Sequence, residues 1–224
     1  MGVVHGSPLA IRRSADLRLR SRDGPIPVQV RWPASPVPGS PPPVVVVLAD
    51  PSGAAADEAL CDELCTGLGA LVLRASWSRG DETPDSALEQ AAVALDWAAD
   101  HADQLGGDPR RVLVAGRDRA AAAASDLALR ARDRGWPQLA GQVLVVTRPC
   151  PAGGEVPPAP TTLGAPAAAT IVTRLASCRC SQRLRAEGAQ VDELVDPRVD
   201  PVEYPEQPFL PALTECLRRS LSRA

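Results

Sequence analysis

The pattern of the chain predicts an α/β fold, a three-layer, doubly wound and mostly parallel sheet with an antiparallel hairpin at its N-terminal end. Two observations predict it. Short β-branched apolar runs alternate with helical segments along most of the chain, and two segments of alternating polarity precede the first of these runs. Strands that alternate with helices form parallel sheets covered by helices on both faces.

Five apolar runs have no polar face, which is typical of strands that are buried on both sides. They cover residues 44–48, 71–73, 112–114, 143–146 and 170–172. Helices are expected at 55–67, 85–105, 119–134 and 181–188, and an amphipathic helix at about 208–221 ends the chain. Upstream, residues 16–20 and 26–31 alternate in polarity around Asp23-Gly24, which predicts the hairpin.

The length of 224 residues fits one domain. We expect a tail over residues 1–14 and a single domain over residues 15–224. Six prolines between Pro33 and Pro43 predict an extended connector before the first buried strand. A second stretch, residues 149–169, is rich in Pro, Gly and Ala and predicts a loop without a regular core element.

Charge and hydropathy exclude several classes of partner. The formal net charge is -3 and charges of both signs are interspersed, so we expect neither nucleic acid nor a membrane surface as partner. No apolar run approaches the ~18 residues of a membrane helix, and the start of the chain lacks the apolar stretch of a signal peptide. These features predict a cytoplasmic protein. The basic residues are all arginine and asparagine is absent, which indicates a GC-rich coding sequence, as in GC-rich bacteria.

The cysteines predict buried, reduced thiols, since free cysteine behaves as a small apolar residue. The six are Cys61, Cys65, Cys150, Cys178, Cys180 and Cys216. Cys61 and Cys65 lie one helical turn apart, but their spacing relative to Cys178 and Cys180 does not match that of zinc knuckles. We therefore expect no metal and no cofactor.

Four passages of the chain resemble the hormone-sensitive-lipase and bacterial acetyl-esterase branch of the α/β-hydrolase family, the fold-3 family. They read DGPIPV at 23–28, LCDEL at 60–64 with GALVL at 69–73, LDWA at 95–98 through LGGDPRRV at 105–112, and LRAEG at 184–188. The resemblance implies an α/β-hydrolase fold, here with cap segments that are reduced or missing.

That family presents its serine in a G-x-S-x-G turn between a strand and a helix. The matching string is Gly116-Arg117-Asp118-Arg119-Ala120, which places Asp118 at the nucleophile position of this elbow. The family's H-G-G-G oxyanion loop corresponds to Ala49-Asp50-Pro51-Ser52-Gly53, where Pro51 has no amide hydrogen to donate. The resemblance makes Asp50, Ser52, Gly53 and Arg119 the candidate pocket residues.

The remaining triad positions are also changed. The place of the family's acid falls near Ser177, and no histidine follows the elbow. The two histidines, His5 and His101, lie upstream, and His101 is expected to be a solvated residue of the helix before the elbow strand. The residue content thus excludes a Ser-His-Asp triad.

The sequence alone therefore favours a catalytically inactive family member that serves as a binding or interaction protein. Its candidate partners are a small-molecule ligand, a second copy of the chain and a catalytic relative.

Two other interpretations of Asp118 stay open. In the first, Asp118 is a nucleophile or an acid/base group, as in haloalkane dehalogenases and epoxide hydrolases, and Asp196 or Asp200 replaces the missing histidine. The protein could equally use Asp118 as a non-hydrolytic cyclase or lyase. Alternatively it caps the helix that follows, which is worth ~1 kcal/mol, and pairs with Arg117 or Arg119.

Overall fold

The structure, a computed structural model, describes residues 11–34, 40–49, 54–76, 84–146, 169–173, 179–186, 188–195 and 209–222. Most of the tail, the centre of the Pro-rich connector and nearly all of the loop expected at 149–169 lie outside these ranges. The same is true of the candidate pocket residues Asp50, Ser52 and Gly53.

Eight strands form one sheet in the order β1-β2-β4-β3-β5-β6-β7-β8. The strands are β1 (Ile11–Ser21), β2 (Gly24–Pro33), β3 (Pro43–Ala49), β4 (Leu71–Ser76), β5 (Asp108–Arg117), β6 (Leu139–Val146), β7 (Ala169–Thr173) and β8 (Val191–Val195). The helices are α1 (Ala54–Thr66), α2 (Pro84–Asp100), α3 (Arg119–Arg134), α4 (Arg179–Ala186) and α5 (Leu210–Leu221).

The strand directions confirm the predicted mixed sheet. β1 pairs antiparallel with β2, and β2 pairs antiparallel with β4. Every later pairing is parallel, from β4 and β3 through β8. The carboxyl ends of the parallel strands thus meet at one edge of the sheet, where open α/β folds bind their ligands.

The apolar side chains form one core on each face of the sheet. On one face α2 and α3 cover side chains such as Val44, Val112 and Val114. On the other, α1 and α5 cover Val45, Leu113 and Ala115. Because successive side chains of a strand alternate in direction, each residue of β5 can be assigned to one of these two faces.

The structure departs from the predicted elements in several places. β1 begins at Ile11, so residues 11–14, which were expected in the tail, belong to the sheet. β8 was not predicted. Its sequence VDELV contains two acidic residues, and none of its positions is fully buried, so it lacks the apolar pattern of a core strand. The helix expected at 85–105 ends at Asp100, and residues 101–106 form turns that lead into β5. None of the helices in the described ranges is long and apolar enough to span a membrane.

Candidate active site

Asp118 lies in the sharp turn between β5 and α3, at the carboxyl edge of the sheet. Its backbone has φ 49° and ψ −108°, and it is the one non-glycine residue of the described ranges with a positive φ. The Asp118 amide donates a hydrogen bond to the carbonyl of Val145 on β6, at 2.8 Å. The Asp118 carbonyl in turn accepts from the amides of Ala121 and Ala122. The turn therefore has the strained backbone of a nucleophile elbow.

Gly116 allows α3 to start this close to the strand. A Cβ atom at Gly116 would clash with the carbonyl oxygen of Ala120 and would lie 2.8 Å from the amide nitrogen of Ala121. Real Cβ atoms do not approach backbone so closely. Only glycine fits at position 116 without such a clash. The prediction of a strand-turn-helix elbow at 116–120 is confirmed.

The structural interpretation of Asp118 is only half correct. Asp118 occupies the N-cap position of α3, yet its side chain makes no capping hydrogen bond to this helix, whose residues are all described. The contribution of ~1 kcal/mol that a capping side chain makes depends on that bond. Helix capping does not explain an aspartate here.

Arg117 points to the opposite face from Gly116 and forms an ion pair with Asp57 of α1. The Arg117 Nε atom lies 3.3 Å from Asp57 Oδ1, and the two side chains are 9% and 3% exposed. This ion pair joins the elbow to α1, and the pairing of Asp118 with Arg117 or Arg119 that the sequence suggests stays a prediction.

Asp57 was missed by the sequence analysis, although the helix pattern contains a signal. The apolar stripe of α1 includes Leu60, Cys61 and Leu64, and Asp57 continues it by one turn toward the N-terminus. A carboxylate on a buried stripe requires a positive partner. The partner itself was not predictable, since it depends on the direction in which Arg117 leaves β5.

Arg119 is exposed at the first position of α3. The first amides of a helix have no partner within it, and in α3 these include the amides of Arg119 and Ala120. The other expected pocket residues, Asp50, Ser52 and Gly53, fall in the segment between Ala49 of β3 and Ala54 of α1. β3 is the neighbour of β5 in the sheet.

His101 is distant from the elbow in the fold, because it precedes the amino end of β5. Its ring stacks on Trp97 with 4.5 Å between ring centroids, and its Nδ1 lies 2.8 Å from the Trp97 carbonyl oxygen. It is half-buried in the turn after α2 rather than fully solvated within the helix, which corrects the predicted setting. His5, Ser177, Asp196 and Asp200 lie outside the described residues.

Cys61, Cys65 and Cys216 are buried free thiols, as predicted, whereas Cys150 and Cys178 lie outside the described residues. Burial raises the pKa of the Cys61 thiol to about 12 and that of Cys65 to about 11. Thiols held neutral in this way are poor nucleophiles and poor metal ligands. Within the described ranges, no cluster of three or more His, Cys, Asp or Glu side chains could hold a metal ion.

The family model described as alpha/beta hydrolase fold matches residues 51–217, about three quarters of the chain. The chain belongs to the alpha/beta hydrolase fold-3 family. The elbow and the strand order described above agree with this assignment, and the resemblance seen in the sequence is confirmed.

A curated relative, the esterase LipI of Mycobacterium tuberculosis, is 31% identical over 137 residues, which cover 59% of this chain and 43% of LipI. The match thus spans less than half the length of that relative.

Two solved structures share the fold. An esterase of Pyrobaculum calidifontis superposes with a TM-score of 0.75 at 21% identity, covering 96% of this chain and 87% of that one. The esterase LipW of Mycobacterium marinum gives a TM-score of 0.74 at 23% identity, covering 93% and 82%.

These matches overturn the expectation of a catalytically inactive binding or interaction protein. The family is one of hydrolases, and the relatives just described are named esterases. The changed residues at the elbow do not by themselves establish that activity is lost. The dehalogenase-like, epoxide-hydrolase-like, cyclase and lyase alternatives have no support among these relatives.

Proposed function

We propose that the chain is a carboxylic-ester hydrolase in which Asp118 is the catalytic group. The observation that carries the proposal is the backbone of Asp118, which keeps φ 49° and ψ −108° at the turn where the family presents its nucleophile. Such a conformation costs about 1–3 kcal/mol and is found mainly at functional sites. The relatives named esterases support the class of reaction.

Asp118 is the general base in this proposal. Its carboxylate accepts a proton from a water molecule while the water oxygen forms a bond to the carbonyl carbon of the ester. The tetrahedral intermediate then breaks its bond to the alcohol oxygen, and the departing alkoxide takes the proton back from Asp118. Every proton is accounted for without a histidine, whereas a covalent acyl-enzyme would need a second base for its hydrolysis.

The negative oxygen of the intermediate requires hydrogen-bond donors at the elbow. The amides of Arg119 and Ala120 lie at the start of α3, where the helix dipole also favours negative charge. In the proposal, Asp50, Ser52 and Gly53 border the same pocket, with the amides of Ser52 and Gly53 as further donors. Pro51 contributes none.

The partner in this proposal is a small organic ester, with neither nucleic acid nor a membrane involved, and the reaction takes place in the cytoplasm. The free thiols of Cys61, Cys65 and Cys216 support this location, because reduced cysteines are typical of reducing compartments.

Turnover of 4-nitrophenyl butyrate tests the proposal. Wild-type protein is expected to exceed the buffer blank, and Asp118→Asn to lose about 100-fold or more of kcat, the usual contribution of a general base. Asp103→Asn is the matched control, since Asp103 is an exposed carboxylate in the turn before β5 and should have no effect. A wild-type rate equal to the blank, or an Asp118→Asn rate equal to wild type, would refute the proposal.

Isotope labelling separates the general base from a nucleophile. During turnover in water enriched in oxygen-18, direct attack by water leaves the Asp118 carboxyl unlabelled. Attack by the carboxylate itself would form a mixed anhydride, which adds the mass of the butyryl group to the peptide that contains Asp118 after a rapid acid quench, and water that opens this anhydride at the Asp118 carbonyl carbon would leave label in the same peptide. We expect an unlabelled peptide by mass spectrometry.

A further inference from the structure

Gly116 and Arg117, the two residues before Asp118, lie on opposite faces of the sheet and contact different helices. Val114 packs into the core under α2 and α3, and Ala115 packs into the core under α1 and α5. The alternation continues to Gly116, which lets α3 approach, and to Arg117, which contacts Asp57. The elbow is thus held from both sides, by backbone packing on one and by an ion pair on the other.

Stability alone is a poor reason for the Asp57–Arg117 pair. Its side chains are 3% and 9% exposed, and removing two charges from water to this extent costs about as much as their attraction returns. An apolar pair of similar size would serve the core equally well. What an ion pair adds is a fixed direction and distance between two elements.

The helix that carries Asp57 is a firm support. The guanidinium of Arg31 on β2, whose side chain is 7% exposed, pairs with Glu58 and lies 2.5 Å from Asp62 Oδ1. These contacts fix α1 against the sheet on the side away from the elbow. Asp57 lies in the first turn of α1, directly after the segment of residues 50–53.

We propose that Asp57 and Arg117 are positioning residues that tie the elbow to the first turn of α1 and hold Asp118 in its productive orientation. The inference rests on the proposed ester hydrolysis and goes beyond it by assigning two residues that do not touch the ester. Loss of the pair lets the turn at 117–119 relax from its strained conformation, so the chemical step slows while binding of the ester is unchanged.

The test compares two double variants, each of which removes an ion pair made by an arginine of β5. Asp57→Asn/Arg117→Gln removes both charges and keeps the shapes, which avoids leaving one buried charge unpaired. Asp108→Asn/Arg111→Gln does the same to the ion pair at the amino end of β5, where Arg111 Nε lies 2.8 Å from Asp108 Oδ2. We expect the first variant to lose about tenfold in kcat with KM unchanged, and the second to retain both values.

Hydrogen exchange gives a readout that does not depend on turnover. The amides of Asp118 and Ala121, which donate hydrogen bonds in this turn, are expected to exchange about tenfold faster in Asp57→Asn/Arg117→Gln than in wild type or the control double variant. If wild-type protein hydrolyses no ester but this difference in exchange is seen, the ester function fails and the positioning role stands. If neither kcat nor exchange differs from the control double variant, the positioning role is overturned.

Arg117→Lys keeps the inference testable even if the double variant does not fold. Lysine preserves the charge opposite Asp57 but lacks the planar guanidinium. We expect the amides of Asp118 and Ala121 to exchange about threefold faster than in wild type, and kcat to fall about threefold. Exchange and kcat identical to wild type in Arg117→Lys would contradict the inference.

Discussion

At Asp118 the backbone and the side chain make opposite demands. The backbone, at φ 49° and ψ −108°, favours glycine, which has no Cβ to resist it. The proposed reaction requires a carboxylate at the same position. In the proposal, the aspartate lowers the free energy of unfolding because its backbone is strained, and this loss of stability can be measured.

We predict that Asp118→Gly is more stable than Asp118→Ala by about 1 kcal/mol, because both lose the carboxylate and only glycine relieves the strain. The midpoint of urea unfolding measures the difference. Asp118→Ala is the matched control for every contact of the missing side chain. Equal stability of the two variants would mean that the turn is not strained, and the proposed function would lose its main support.

At the scale of elements, the contact of β5 with α3 depends on the absence of a side chain at Gly116. Gly116→Ala is predicted to lower the free energy of unfolding by about 3 kcal/mol, since the new methyl group meets the backbone of Ala120 and Ala121. Backbone cannot move aside as a flexible side chain can.

Gly135→Ala is the control at the other end of α3. Gly135 has φ 72°, but a methyl group added there would meet no described atom within 4 Å. This substitution should therefore lower the free energy of unfolding by only about 1 kcal/mol, the cost of a left-handed backbone at a residue other than glycine. Chemical unfolding of both variants gives the comparison. Similar losses would contradict a steric role of Gly116.

The contrast between α3 and β8 shows which elements the sequence predicts. The apolar stripe of α3 is uninterrupted and Gly135 ends the helix, so the expected bounds of 119–134 agree with Arg119–Arg134. β8 has only half-buried or exposed residues, and Asp192 and Glu193 occupy its centre. Its pairing with β7 comes from the sheet rather than from a local pattern.

The site residues also differ in whether a local sequence pattern predicts them. Asp118 was predictable because the elbow is a local string of five residues. The Asp57–Arg117 pair was not, because its members are 60 positions apart and meet only when α1 packs on the sheet. The expectation of an inactive protein was wrong because residue content was weighed without the family and the relative named an esterase, which point to a hydrolase.

For the whole molecule, the chain's unusual composition makes its response to alkaline pH simple to interpret. The chain contains no lysine and one tyrosine, so cysteine thiols dominate the titration above neutral pH. Burial raises the pKa of Cys61 to about 12 and that of Cys65 to about 11, whereas both thiols titrate near 9 when exposed. The unfolded chain therefore loses these protons at lower pH than the folded chain does.

The sign of the effect follows from these values. A pKa that folding raises contributes stability that is complete below the unfolded value near 9 and is lost as pH rises toward 11 and 12. Between pH 8 and pH 10 we predict a loss of about 3 kcal/mol in the free energy of unfolding from the two thiols together. The variant Cys61→Ala/Cys65→Ala is expected to be less stable than wild type at pH 8. Between pH 8 and pH 10, however, its free energy of unfolding should fall less than that of wild type, by the amount that the two thiols contribute. Parallel pH profiles for the variant and the wild type in urea unfolding would show that these thiols are not held neutral by the core.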